Sequence, residues 1–187
     1  MAGTFQSRQG QLLLDGGKLH GSFFHRAVVL ICQHDTEGAF GLILNRPSGG
    51  KVGDAIAGNL PGTVKEQPLY IGGPVQPSAL SFLHSDAFVP HANVMLNLNI
   101  GHSIESLMDL TESYSTTQKL RLFAGYAGWS AGQLDQEMAR QDWLTYPADL
   151  NVIFNSSPAG LWKDILLQHK DPALRWLADS PENPFWN

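Results

Sequence analysis

The sequence predicts a single α+β domain, and three observations carry that prediction. Strand-like and helix-like segments are interspersed along the chain instead of being grouped at its ends. Two neighbouring apolar segments, residues 27–32 and 40–44, read as a hairpin, which a regular doubly wound parallel sheet would not place there. At 187 residues, with no internal repeat, low-complexity block or linker, the chain is long enough to bury one real core.

The elements follow in order. Residues 12–14 are a short apolar run ended by the turn signal Asp15-Gly16-Gly17. Residues 27–32 (AVVLIC) are continuously apolar and rich in β-branched side chains, the pattern of a strand buried on both faces. A turn is expected over 34–38 and the second hairpin strand over 40–44, ended by residues 47–50. Val52 and Ile56, one turn apart, predict a short helix over 52–57. Residues 68–71 read as a strand running into Gly72-Gly73-Pro74. Leu80, Leu83 and His84 share one side at helical spacing and predict a helix over 77–84. Partial alternation predicts a strand over 93–99.

Ser103 opens a helix with Ile104, Leu107 and Met108 on one face and Glu105 in the first turn. Residues 120–126 begin with strand alternation. Ser130 and Gln133 form a capping-box pattern ahead of Leu134 and Met138. Residues 150–154 read as a strand. Ser157-Pro158 and Asp171-Pro172 are two helix-start signals. The first leads into the stripe Leu161, Trp162, Ile165, Leu166, and the second into Leu174 and Leu177. Residues 1–10 and 180–187 read as loose ends, with Phe185 and Trp186 able to dock.

Composition narrows the function classes. The net charge is −5 and no four-residue window holds three Lys or Arg, which weighs against direct nucleic-acid binding. No apolar run approaches the roughly 18 residues of a membrane helix. The N-terminal residues lack a secretory hydrophobic core, and the lone Cys32 has no disulfide partner in the chain. A cytoplasmic protein is expected.

A series of blocks then stands in a specific order. It runs through Phe24-His25-Arg26, His34-Asp35, Gly41-Leu42-Ile43-Leu44-Asn45-Arg46-Pro47 and Gly72-Gly73-Pro74-Val75. It continues with Leu80-Ser81-Phe82-Leu83-His84, Gly125-Tyr126-Ala127-Gly128-Trp129, Gly132-Gln133-Leu134 with Glu137, then Trp143 and Trp162. In these blocks the chain resembles the YqgE/AlgH family of small bacterial proteins along nearly its whole length. The resemblance implies one α+β domain with a small barrel-like, mixed or antiparallel sheet surrounded by helices. It implies no established enzymatic activity and no known cofactor, although some members are labelled transcriptional regulators. One departure is visible: the family's Asp-Pro before the F-x-R block is replaced here by Gly21-Ser22.

Several residues are candidates for chemistry. Gly128-Trp129-Ser130-Ala131-Gly132 matches the G-x-S-x-G nucleophile elbow, and Asp142 or Asp149 followed by His169 would complete a serine hydrolase in chain order. The competing reading is that Ser130 caps the helix that follows. Cys32 with His34 could form a reactive thiol, but Cys32 sits in an apolar strand, where cysteine behaves as a small hydrophobe. The seven histidines form no metal-binding spacing, and no metal is expected.

Arg46 offers a planar fork for an anion, or an ion pair to Asp35 or Glu37. Tyr126 and Trp129 are either cleft walls or core anchors. The expected activity is binding of a peptide, protein or small anionic ligand, with His34, Asp35, Asn45, Arg46, Gly72, Gly73, His84, Tyr126, Trp129 and Gln133 gathered around one hollow. A hydrolase using Ser130 and a regulator acting through protein contacts are the alternatives.

Overall fold

The computed structural model describes residues 5–56, 60–86, 91–112, 117–169 and 171–181. The first half of the chain contributes β1 (Gln11–Asp15), β2 (Val28–Asp35), β3 (Gly38–Ile43), β4 (Pro47–Lys51), α1 (Val52–Ala55), α2 (Gly62–Lys65), β5 (Pro68–Ile71) and β6 (Val75–Ser85). The second half contributes β7 (Asn99–Gly101), α3 (Ile104–Glu112), β8 (Lys119–Ser130), α4 (Gln133–Ala139), β9 (Trp143–Pro147), α5 (Leu150–Asn155), α6 (Leu161–Gln168) and α7 (Pro172–Asp179). The α+β class holds. Among the described residues the strands form one mixed sheet in the order β4-β5-β8-β3-β2-β1-β9, with β6 paired to β8 and β7 to β6. The path stays open between β4 and β9 and does not close into a barrel.

Both faces of this sheet are covered, which explains the unbroken apolar run in β2. Val28, Leu30 and Cys32 face a cluster with Leu12, Leu14, Leu42 and Leu44 under Ile153 of α5, Trp162 and Ile165 of α6, and Ala178 of α7. Val29 and Ile31 face the opposite cluster with Leu13, Ile43, Trp129, Trp143 and Leu134 of α4. A third cluster joins Leu69, Phe82 and Leu122 to Val52 of α1, Val64 of α2 and Leu107 of α3. Among the described residues no helix is long and apolar enough to cross a membrane.

β8 is the hub. Its residues 127–130 pair with β3, residues 122–124 pair in parallel with β5, and its other edge carries β6. The chain passes from β5 on one edge to β6 on the other through Gly72-Gly73-Pro74 alone. That crossing runs directly over the backbone of β8. A Cβ on Gly73 would stand 2.0 Å from the Tyr126 carbonyl carbon, and one on Gly72 2.3 Å from the Gly125 oxygen. Gly125 itself has φ +70°, a conformation that favours glycine.

The structure corrects several sequence expectations. Residues 77–84 belong to strand β6 and not to a helix. Phe82 and Leu83 are buried on opposite faces, so the strand shows no alternation and imitates helical spacing. Residues 150–154 are helix α5 and not a strand, started by Asp149, whose carboxylate accepts the Val152 N–H at 2.9 Å. Residues 93–99 turn back on themselves. The Asn93 side chain accepts the Ile100 N–H and donates to its carbonyl, Asn97 has φ +60°, and only Asn99–Gly101 remains as strand.

α6 starts at Leu161, after a turn over 158–160, and not at Pro158. β4 and β9 carried no recognised sequence signal. The N-terminal residues that the structure describes are not loose: Ser7 Oγ and Arg8 N donate to the His34 carbonyl and Nδ1, and Gly10 N donates to the Ile31 carbonyl. Phe185 and Trp186 lie outside the described residues.

Gly73→Ala is expected to lower stability by about 3 kcal/mol or more, because the opposing atoms are backbone and cannot yield. In Gly62→Ala a new Cβ on α2 would meet nothing within 4 Å. That change should be neutral or stabilise by about 0.5 kcal/mol. Urea unfolding of both variants checks the pair.

Candidate functional site

Asp15 ends β1 with a carboxylate that is 0 % exposed. It accepts backbone N–H groups from Gly17 at 2.8 Å, Leu19 at 3.2 Å and Arg26 at 2.8 Å, with His25 Nδ1 3.5 Å away. The loop from β1 to β2 is therefore folded around one side chain. Its contacts include Arg26, which adopts φ +53°. The Asp15 carbonyl also accepts Trp162 Nε1–H at 3.0 Å, which ties the loop to α6. Gly21-Ser22, where the family carries Asp-Pro, makes a local turn: Ser22 Oγ donates to the Leu19 carbonyl and accepts the Phe24 N–H.

A cleft of about 580 Å³ opens beside this loop, lined by His25, Arg26, Asn45, Arg46, Trp162, Lys163 and the turn before α6. Asn45 substitutes for a neighbouring strand where β3 ends. Its Oδ1 accepts the Val28 N–H and its Nδ2 donates to the Arg26 carbonyl, both at 2.9 Å. Arg46 Nη2 donates to the His25 carbonyl at 2.6 Å, and its guanidinium carbon lies 5.6 Å from the Phe23 ring centroid.

Arg26 lies 5.0 Å over Trp162 and donates to the Ser180 carbonyl. Lys163 meets Asp179 at 2.9 Å. Among the described residues no Asp or Glu lines the cleft, although acidic residues outnumber basic ones 17 to 12 in the chain. Burial pulls the Arg46 pKa below its ordinary value, so this cation is poorly hydrated.

The ten residues expected around one hollow do not share one. Asn45 and Arg46 line this cleft. His34 and Asp35 line a second, of about 420 Å³, with Cys32 and His102. Asp35 does not pair with Arg46. Its carboxylate accepts from the Gln33 side chain and the Glu37 N–H, which hold it below the usual carboxylate range. His84 lines a third recess, and burial lowers its pKa.

Gly72 and Gly73 are buried in the crossing over β8. Tyr126 stacks on Phe40 at 4.8 Å. Trp129 is 7 % exposed, and its Nε1–H donates to Glu137 Oε2 at 2.8 Å, as does that of Trp143. Gln133 donates to the other Glu137 oxygen and accepts from both the N–H and the hydroxyl of Ser130. Ser130 ends β8 and does not cap α4, whose N-cap position is Gly132 with no side-chain hydrogen bond; its Oγ donates instead to the Gln133 amide oxygen, and His169 packs on Tyr146 at 5.6 Å. Among the described residues no group of three or more His, Cys, Asp or Glu is placed to hold a metal ion.

The AlgH-like family pattern matches residues 12–173. The chain belongs to that family. This AlgH-like chain is 37 % identical to a UPF0301 protein of Chlorobium limicola over 183 residues, covering 96 % of each. It is also 37 % identical to one of Methylococcus capsulatus over 164 residues, covering 84 % of this chain and 88 % of that one. Its fold is similar to the solution structure of AlgH from Pseudomonas aeruginosa, with TM-score 0.72, 25 % identity, and 95 % and 98 % of the two chains covered. It is similar too to the crystal structure of a Corynebacterium diphtheriae protein, with TM-score 0.76, 25 % identity, and 95 % and 94 % covered.

Sequence reasoning passed over His25, Arg26 and Lys163, and gave Trp162 to the core alone. Trp162 is buried and also walls the cleft. The available signal was the pair His25-Arg26 just before a buried strand. For Lys163 there was none beyond its place beside the apolar stripe.

Two outcomes follow from these contacts. Glu137→Ala leaves two buried indole N–H groups without an acceptor and should cost about 2–4 kcal/mol in a denaturation experiment. Burial pushes the Cys32 thiol well above its ordinary pKa. Native protein should therefore resist alkylation by iodoacetamide at pH 8 and react fully in denaturant.

Proposed function

We propose that this protein binds a small anionic ligand in the cleft between the Asp15-anchored loop, the end of β3 and the start of α6. The observation that carries this reading is that Arg46, partly withdrawn from water, lines one cavity together with Arg26, Lys163 and Asn45. Three segments far apart in an acidic chain deliver those cations, so the average charge does not explain them. Asn45 and the backbone before α6 add neutral polar groups, the usual composition of a small-molecule pocket. The reading is of binding and not of catalysis, in keeping with a regulatory part. The buried free thiol of Cys32 fits a reducing compartment, and we place the protein in the cytoplasm on that ground.

Titration of ¹⁵N-labelled protein with benzoate or phenyl phosphate should move the amides of residues 25–27, 45–46 and 160–163. Arg46→Gln should weaken that binding by about tenfold, the weight of one charge-assisted hydrogen bond. Shifts gathered around residues 32–35 and 100–102 would place the site in the second cleft. A loss of stability in Arg46→Gln with unchanged binding would make the residue scaffold.

A further inference from the structure

We propose that residues 5–9, the segment ahead of β1, form a pH-operated strap on the second cleft, which His34 releases when it takes up a proton. The device is independent of the anion cleft, which a different set of residues lines. The strap contains no helix or strand. Its first half is held on His34. The Phe5 ring meets the imidazole edge-on with centroids 4.9 Å apart, Ser7 Oγ donates to the His34 carbonyl at 2.8 Å, and the Arg8 N–H donates to His34 Nδ1 at 3.0 Å. The His34 side chain is 2 % exposed, so water has little access to the ring.

The Arg8 contact decides where a proton goes. A neutral imidazole accepts at one nitrogen and donates at the other. Since Nδ1 accepts a backbone N–H, Nε2 carries the hydrogen, and a second proton has only Nδ1 to occupy. Proton and strap therefore compete for one lone pair, and each weakens the other's hold. The strap stays closed while the ring is neutral. It opens as the pH falls through the range of about 8 to 5 in which histidine gains its charge.

Two carboxylates favour the charged ring. Asp135 of α4 lies 3.8 Å from Nε2 and is 48 % exposed, and Asp35, the next residue on β2, carries its charge below the usual carboxylate range. Arg8 is the strap's one charged residue, and its charge has the sign of the imidazolium. His102, the other histidine of the cleft, is pulled below its ordinary pKa by burial. The proton thus exchanges a hydrogen bond to the strap for an ion pair with α4.

Gln9 is common to two cavities. It lines the second cleft, of about 420 Å³, and a recess of about 440 Å³ beside Thr145, Tyr146 and Ala148. Its Nε2 donates to the Asn93 and Val94 carbonyls at 3.0 and 3.3 Å. Gly10, with φ +73° and its N–H on the Ile31 carbonyl, is the hinge on which the strap turns. With residues 5–9 lifted, cleft and recess join.

The test is ¹⁵N relaxation and histidine-ring NMR on the full chain from pH 8 to 5. The order parameter of the Arg8 amide should fall from about 0.85 to below about 0.6, with the same midpoint as the His34 ring. The amides of residues 93–94 and 145–146 should shift in that transition, while those of the buried Val29 and Ile43 should not. His34→Asn, whose Oδ1 can take the place of Nδ1 and does not titrate, should keep the strap closed at pH 5. Asp135→Asn, at a half-exposed position, should move the midpoint down by about 0.3–0.7 pH unit, the weight of one weak ion pair.

An Arg8 amide that stays ordered at pH 5, or that loosens with a midpoint other than that of His34, would overturn the proposal. Loss of order at Val29 and Ile43 together with Arg8 would make the event global unfolding and overturn it as well. An unchanged midpoint in Asp135→Asn would remove the exchange of partners and with it the proposal. A strap that still opens in folded His34→Asn would do the same; if that variant does not fold, the wild-type midpoints and Asp135→Asn decide.

Discussion

The buried carboxylate of Asp15 is the contact around which the cleft-bearing end of the molecule is arranged. A carboxylate removed from water is costly unless its oxygens are engaged, and an unmade hydrogen bond at such a site costs about 1–3 kcal/mol. Here the N–H groups of Gly17, Leu19 and Arg26 engage it, and they come from a loop with no regular secondary structure of its own to satisfy them. Side chain and loop therefore stabilise each other. The same residue's carbonyl holds the Trp162 indole, so the strand end, the loop and α6 keep a fixed relation. The cleft is the space that this relation leaves between them.

A second constraint shapes the far side of the sheet. Because β8 pairs with β3, β5 and β6, its central residues have no free edge. The connection from β5 to β6 has to pass across its face at contact distance, where a side chain would collide with backbone. Glycines that look like a ligand-binding turn in the sequence are thus required by topology. The Gln133, Glu137, Trp129 and Trp143 network is similar. It looks like a polar and aromatic site, yet its hydrogen bonds point inward and join β8, α4 and β9.

Legibility in the sequence followed the strength of local signals. The β2–β3 hairpin, α3 and α7 were readable because apolar spacing and start residues agree; Asp171 caps α7 by accepting the Ala173 N–H at 2.9 Å. β6 was not, since Phe82 and Leu83 are buried on opposite faces and period two is lost. In α5 the β-branched Val152 and Ile153 favour a strand by propensity, and packing against the sheet overrides them.

The family was readable in the order of its blocks. The proposed site was readable only at Asn45-Arg46, where polar residues follow a strand. Arg26 and Lys163 come to line one cleft through the packing of α6 against the sheet, and no window of sequence contains that event. His34, His84 and Trp129 looked functional one by one; His34 and Trp129 flank Ala39 on one row of the sheet and Trp129 shares a small recess with Asp35, while His84 lines another.

The hub position of β8 has a consequence for the birth of the protein. More than half the chain precedes Lys119, and during synthesis all of that length leaves the ribosome before the strand that joins β3, β5 and β6 exists. Until it arrives, those strands present unpaired amide edges and apolar faces to solvent. Such long-range pairing slows folding. A chain cut short before residue 119 lacks the one strand that joins those edges, so its apolar surface has no partner within the fragment from β8.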